Sequence, residues 1–439
     1  MGNMSETAGA AAGSERAGSE PASEAPARSA RRLLRTVLPA LVVGVGSSLL
    51  FLLVEYISEA LEHFLWEFLP DQFGFAGSGK WWIVAVLTAT GLAVGLVVAF
   101  VPGHAGPDPA TEGLIGPPLP TSLIPSLLLA AILALGGGVS LGPENPITAA
   151  NIALACAVGV RLAGRETAPL WLALAAAGTI GALFGTPVAA ALIMSEMAFG
   201  PTSLPLWDRL FAPLIAAGAG ALTTQAFAEP SFAIDVPPYA GFHLIDLVSA
   251  CGMALAGGLL GLAIVYPFAA MHALFRRLRN PIVMLTAGGL LLGVLGAIGG
   301  MITLFKGLSQ MRELVSTVSA YSTWGLVVVV AVKAAALLIA SAAEFRGGRI
   351  FPTVFLGVAL GLLGNRLIPG IPESLAIGAA LLGIVVAITH QGWLSLFLAG
   401  TVTMDIRLFP ILCIAVLPVW LLIIGKPEMQ LPHEQPATA

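Results

Sequence analysis

Apolar segments follow one another almost without pause along this chain, and that pattern leaves few folds open. They run at about 36–68, 80–101, 123–140, 146–161, 167–184, 187–199 and 206–228, and then at about 243–275, 281–302, 307–320, 323–342, 351–366, 373–389, 391–404 and 407–424. About 20 apolar residues cross the roughly 30 Å of bilayer hydrocarbon as a helix. In lipid every backbone polar group needs an internal partner, so a succession of such segments folds as helices. Several segments are too short to span upright and others are longer than a span needs. The pattern therefore predicts an all-α polytopic membrane protein of tilted and broken helices. Charged residues make up 10% of the chain, against about 25% in a soluble protein. No folded region carries a basic field, so nucleic acid is excluded as a partner and the lipid bilayer is the expected one.

The flanks set orientation. Residues 1–32 include a stretch rich in Ala, Gly, Ser and Glu with no apolar period, which predicts a disordered tail. Arg28, Arg31, Arg32 and Arg35 abut the first apolar segment, which places the N-terminus in the cytoplasm. The cluster Arg276-Arg277-Leu278-Arg279 is expected on the same side. The Pro-containing stretch from Glu229 to Phe242 divides the chain into repeats at 33–229 and 230–430, followed by a short tail at 431–439. Each half holds a helix-breaking loop followed by an apolar helix start: Gly142 to Pro146 in the first, Gly347 to Pro352 in the second. Paired interruptions of this kind point to an inverted repeat with a site at the bilayer midplane.

Glu144 lies between two apolar segments, where an ionisable residue costs about 2.5–3.5 kcal/mol on insertion scales. That cost favours a functional role; the alternative is a helix cap. Gly142, Pro143 and Pro146 break the helix, and the next helix start directs free N–H groups and a positive dipole end at one spot. A second set of such donors is expected near 350–354. A carboxylate held among them can act as a removable plug for an anion. Asp108 and Glu112 read as caps of a helix starting near Gly106 rather than ligands, Lys333 as an interior partner or a snorkelling residue with a pathway role as the alternative, and His390 as a cap or turn residue. Asp405 and Arg407 read as interfacial. Cys156, Cys251 and Cys413 lie in apolar segments and read as small buried hydrophobes. No metal ligand set and no nucleophile–base pair stands at membrane depth, so neither a cofactor nor an enzyme activity is expected.

Several motifs resemble those of the CLC family of chloride channels and proton-coupled chloride antiporters, over about residues 33–430. Gly142-Pro143-Glu144-Asn145-Pro146 resembles G-[K/R]-E-G-P, with Glu144 at the gating glutamate. The run from Gly106 to Gly113 resembles G-S-G-I-P-E-I-E-G, most closely at Pro109, Glu112 and Gly113. Gly348-Arg349-Ile350-Phe351-Pro352 resembles G-x-F-x-P, and Ser195-Glu196-Met197 resembles the end of E-E-M, which implies a proton relay at Glu196. Gly425-Lys426-Pro427-Glu428-Met429 resembles G-K-P-L-Y.

The departures are equally specific. Gly106 stands at the family's pore serine and Met429 at its pore tyrosine, so two hydroxyl donors are lost. Ile350 stands at the phenylalanine, with Phe351 displaced by one; Pro143 and Asn145 replace a basic residue and a glycine. The resemblance implies a CLC-type inverted repeat in a bacterial plasma membrane, a homodimer, and an anion pathway along Gly106, Pro107, Pro143, Asn145, Arg349, Ile350, Phe351 and Met429. Arg349 is expected to supply the pathway's positive field, or else to snorkel or pair with Glu344. The expected function is transport of a small inorganic anion gated by Glu144, with retention of Glu196 favouring exchange for protons. An uncoupled channel and a non-transporting sensor or scaffold stay open, as does the identity of the anion.

Overall fold

The computed structural model describes residues 30–197, 205–228 and 232–432. Of the expected tails at 1–32 and 431–439, residues 1–29 and 433–439 lie outside them, as does the boundary between the halves at 229/230, while residues 30–32 of the expected tail form the start of a helix. Among the described residues the chain is helical, with one isolated antiparallel β-bridge and no strand.

In the first half the helices are α1 (Ala30–His63), α2 (Leu69–Gln72), α3 (Lys80–Phe100), α4 (Ile124–Gly136), α5 (Glu144–Ala163), α6 (Ala168–Phe184), α7 (Pro187–Glu196) and α8 (Leu206–Phe227). In the second they are α9 (Leu244–Arg276), α10 (Pro281–Gly299), α11 (Leu308–Ser316), α12 (Thr323–Ala342), α13 (Ile350–Leu367), α14 (Glu373–Thr389), α15 (Gly392–Thr403) and α16 (Phe409–Ile423). Among the described residues ten spans are long and apolar enough to cross a membrane, and α4, α7, α14 and α15 are shorter apolar helices. The expected mixture of long, tilted and interrupted helices holds. The segment expected at 307–320 is instead a short helix followed by a 3-10 turn; its nine-residue α-helix cannot span.

Glycines let the helices approach closely. A β-carbon at Gly91 of α3 would overlap the Leu285 carbonyl of α10, and one at Gly383 of α14 would overlap the Ala254 carbonyl of α9. Without a hydrophobic drive between helices in lipid, this backbone contact supplies the packing. Cys156 is buried as expected, but Cys413 faces outward from α16; a small apolar thiol is as compatible with lipid as with the core.

The segment from 232 to 243 is fastened to the second half. The Ile234 amide donates to the Val402 carbonyl (3.1 Å) and the Tyr239 amide to Asp405 Oδ2 (2.6 Å). Asp405 also accepts from Arg407 Nε (2.9 Å) and Nη2 (2.8 Å), so these two residues pair with each other. The Arg407 hydrogen bonds, against burial and with help from the Tyr239 amide, hold the Asp405 carboxyl down to about 2. Its folded value lies below the ordinary 3.8, so the tie is complete above that pH and is lost as pH falls through about 2. Asp405→Asn is expected to lower the melting temperature at neutral pH and to change nothing below about pH 2, as read by thermal unfolding across that range.

Candidate functional site

The two helix-breaking loops meet. Gly142 N–H donates to the Gly348 carbonyl (2.8 Å) and Gly348 N–H to the Gly142 carbonyl (2.7 Å), forming the antiparallel bridge. From this bridge both chains run directly into helices. Gly142-Pro143-Glu144-Asn145-Pro146 opens α5 and Gly348-Arg349-Ile350-Phe351-Pro352 opens α13, so the two pentapeptides match position by position, with Pro at the third residue of each helix. Proline there removes an N–H that has no intrahelical partner and so costs little.

Glu144 is the first residue of α5 and is fully buried. Its Oε1 accepts from Ile350 N–H at 2.7 Å, the first free amide of the facing helix. Oε2 is buried without a hydrogen bond. The carboxylate lies against the bridge: a β-carbon at Gly348 would overlap it, and one at Gly142 would meet Oε2 and the Phe351 side chain. Only glycine at both positions leaves room for the carboxylate. Ile350, which stands at the family's phenylalanine, contributes a backbone donor to this site.

Two separate cavities are lined by residues beside this point. One, of about 310 Å³, is lined by Asn145, Arg349 and Ile350 together with Gln391, Glu428 and Gln430. The other, of about 640 Å³, is lined by Phe351 and Phe232, with Glu55, Glu59, Lys306 and Arg312. Lys306 is ion-paired to Glu55. Phe351 packs on Phe232 (5.0 Å between ring centres) and Phe184 (6.3 Å), an aromatic layer beside the carboxylate.

Of the other expected pathway residues, Pro143 is the residue before α5, and its carbonyl accepts from Ile147 (3.2 Å). Arg349 is half-buried and donates from Nη2 to the Glu112 carbonyl (2.7 Å). It does not pair with Glu344, whose carboxylate instead faces His272 (3.5 Å), Arg276 (3.9 Å) and Arg346 (4.0 Å). Gly106 lines neither cavity beside Glu144; its carbonyl accepts from Arg346 Nη2 (3.4 Å). Pro107 lines a neighbouring apolar cavity that shares Asn145. No helix starts near Gly106: the chain runs through turns to the 3-10 turn at Thr121–Leu123. Asp108 therefore caps no helix. It accepts from Ala110 N–H (2.9 Å) and from His272 Nε2 (2.9 Å). Burial raises its carboxyl, but these hydrogen bonds outweigh burial and hold it below the ordinary range.

Met429 is fully buried in the core, and its neighbours Glu428 and Gln430 line the smaller cavity in its place. A methionine has no polar tip to keep it at a wet surface. Glu196 is exposed at the end of α7, and its Oε1 accepts from Gly392 N–H (3.0 Å), the first residue of α15. His390 ends α14 in a left-handed conformation, a turn residue as expected. Sequence reasoning missed the Asp108–His272–Glu344–Arg346 cluster and the Glu55–Lys306 pair. Their members are far apart in the chain, and the only signal was that each is an ionisable residue in or beside an apolar run.

Comparison with known proteins gives one answer at three levels. Residues 89–418 match the family described as voltage gated chloride channel. The chain is 49% identical over 409 residues to the "Putative ion-transport protein YfeO" of Escherichia coli O139:H28 (strain E24377A / ETEC), covering 93% of this chain and 98% of that one. A CLC-type fluoride/proton antiporter superposes with a TM-score of 0.73 at 19% identity, covering 90% of this chain and 96% of that one. A slow cyanobacterial Cl−/H+ antiporter superposes with a TM-score of 0.76 at 16% identity, with the same coverage. At these identities the two structures establish the shared fold.

Proposed function

The chain belongs to the voltage-gated chloride channel family, and from that premise we propose that it exchanges a small inorganic anion for protons across a bacterial plasma membrane, with Glu144 as the gate. Anion transport across a membrane is the family's common activity; the gate, the coupling and the anion are the proposal. One observation carries it: the Glu144 carboxylate takes the Ile350 N–H, a helix-start donor, beside residues that line two separate cavities. An anion arriving from either cavity must displace it.

Orientation follows from the basic clusters. The smaller cavity is lined by Glu112 and Gln430; the neighbouring residues Asp108 and Leu431 line a further cavity with Arg276, Arg277 and Arg279. The positive-inside rule puts that side in the cytoplasm. The larger cavity is lined from the C-terminal half of α1, and opens outward on this reading. The matched pentapeptides support two inverted halves, 33–229 and 230–430, and we propose a homodimer on the family's pattern.

Arg349 is the cation at the inner cavity. Arg349→Gln is expected to lower anion flux by about tenfold at low ionic strength, and less at high salt, because a steering charge is screened. Equal flux in both proteins would remove Arg349 from the pathway.

A second reading has its own support. The Glu196 carboxylate caps α15 through Gly392, a structural use that leaves an uncoupled channel open. Efflux from proteoliposomes, with external pH recorded for chloride, fluoride and nitrate in turn, separates the two. Proton movement driven uphill by the anion gradient, and lost in Glu196→Gln, supports exchange. Anion flux without proton movement supports the channel. Absence of flux for every anion tested would reject transport.

A further inference from the structure

Lys333 is fully buried on α12, and among the described residues no carboxylate pairs with it. Its Nζ instead faces three consecutive carbonyls: Thr303 at 3.2 Å, Leu304 at 2.9 Å and Phe305 at 2.8 Å. Three acceptors match the three donors of an ammonium; a neutral amine has only two. The Phe355 ring completes the shell at 5.0 Å. A side chain that only filled space here would be cheaper as methionine.

Each wall of this cradle leads to the Glu144 site. Phe305 holds a left-handed backbone (φ 57°), and its N–H donates to the Gly138 carbonyl (3.1 Å), four residues before the Gly142 bridge. Phe355 lies on α13, one turn beyond Phe351.

We propose that the Thr303–Leu304–Phe305 carbonyls form a monovalent-cation site that the chain fills with its own ammonium, and that Lys333 is thereby a positioning residue holding both helix starts of the anion site. The anion-site part rests on the transport reading above; the cation cradle does not.

The test is chemical rescue of the full-length protein in detergent. Lys333→Ala removes Cγ to Nζ, which n-propylammonium replaces atom for atom; n-propanol is the neutral control of similar shape. Lys333→Ala is expected to melt well below the wild type, to recover with n-propylammonium and not to recover with n-propanol. Lys333→Met, which fills the space without charge, should respond to neither. The melting shift produced by added chloride or fluoride reports the anion site. It should be lost in Lys333→Ala and return with n-propylammonium. Recovery with propanol as well, no recovery with the cation, or a Lys333→Met protein as stable and anion-responsive as wild type would overturn the cradle. Wild type that shows no anion-induced shift, beside intact rescue of melting, would instead count against the transport reading and overturn the positioning role with it.

Discussion

Glu144→Ala is expected to raise the affinity for a transported anion by about 10- to 100-fold. The estimate comes from the competition at Ile350. Its N–H now serves the Glu144 carboxylate at 2.7 Å, and a hydrogen bond to a charged group is worth about 1.5–3 kcal/mol. An incoming anion has to give back that energy before it binds; alanine removes the competitor, and every 1.4 kcal/mol is about tenfold. The variant should also lose the pH dependence of flux. In the wild type a proton turns the competing anion into a neutral acid, so flux should rise as pH falls; alanine has nothing to protonate. Stability should not fall, because a fully buried carboxylate with one oxygen lacking a hydrogen bond carries a desolvation cost that the variant avoids. Titration calorimetry with chloride and fluoride, flux against pH, and thermal unfolding give the three readouts. A lower melting temperature with unchanged anion affinity would make Glu144 a helix cap and nothing more.

Gly348→Ala carries the second large effect, and its size depends on Glu144. A β-carbon at Gly348 would overlap the Glu144 carboxylate and nothing else as closely. Overpacking a tight site costs about 1–3 kcal/mol. That cost should appear in the wild-type background and nearly vanish when residue 144 is already alanine. The double-mutant cycle should therefore yield a coupling of about 1–3 kcal/mol between positions that are 204 residues apart in sequence. Unfolding in denaturant for the wild type, each single variant and the pair measures it. If Gly348→Ala costs the same in both backgrounds, the carboxylate does not rest on this glycine in solution.

Much of this site was legible in the chain. Glu144 between apolar runs, the helix-breaking residues around it and the matching loop at 347–352 are local features. Each has a physical cost that an unaided sequence shows. Motif matching gave the family through the same residues, but it does not say which side chains reach the cavities. Gly106 and Met429 stand where the family carries pore hydroxyls, but the turn after Val101 and the burial of Met429 take both away from the cavities beside Glu144. A motif fixes order along the chain, while the direction of a side chain depends on what packs behind it. From sequence Arg349 supplies a positive field, snorkels or pairs with Glu344; its hydrogen-bond partner in the fold is a backbone carbonyl, at Glu112. A carbonyl is present at every residue, so no sequence signal marks the one an arginine will reach.

The sequence by itself determined that the chain is a set of helices in a membrane, that two loops break its helices, and that one acid between apolar runs stands at a helix start. These follow from transfer costs and backbone hydrogen-bonding needs, which are properties of short stretches. Only the tertiary structure decided that the two loops close on each other through Gly142 and Gly348, that the donor facing Glu144 is the Ile350 amide, and that Lys333 is held by three carbonyls. Those are contacts between segments far apart in the chain. They are set by how closely glycine lets the backbones approach, and that geometry exists only once the helices are packed.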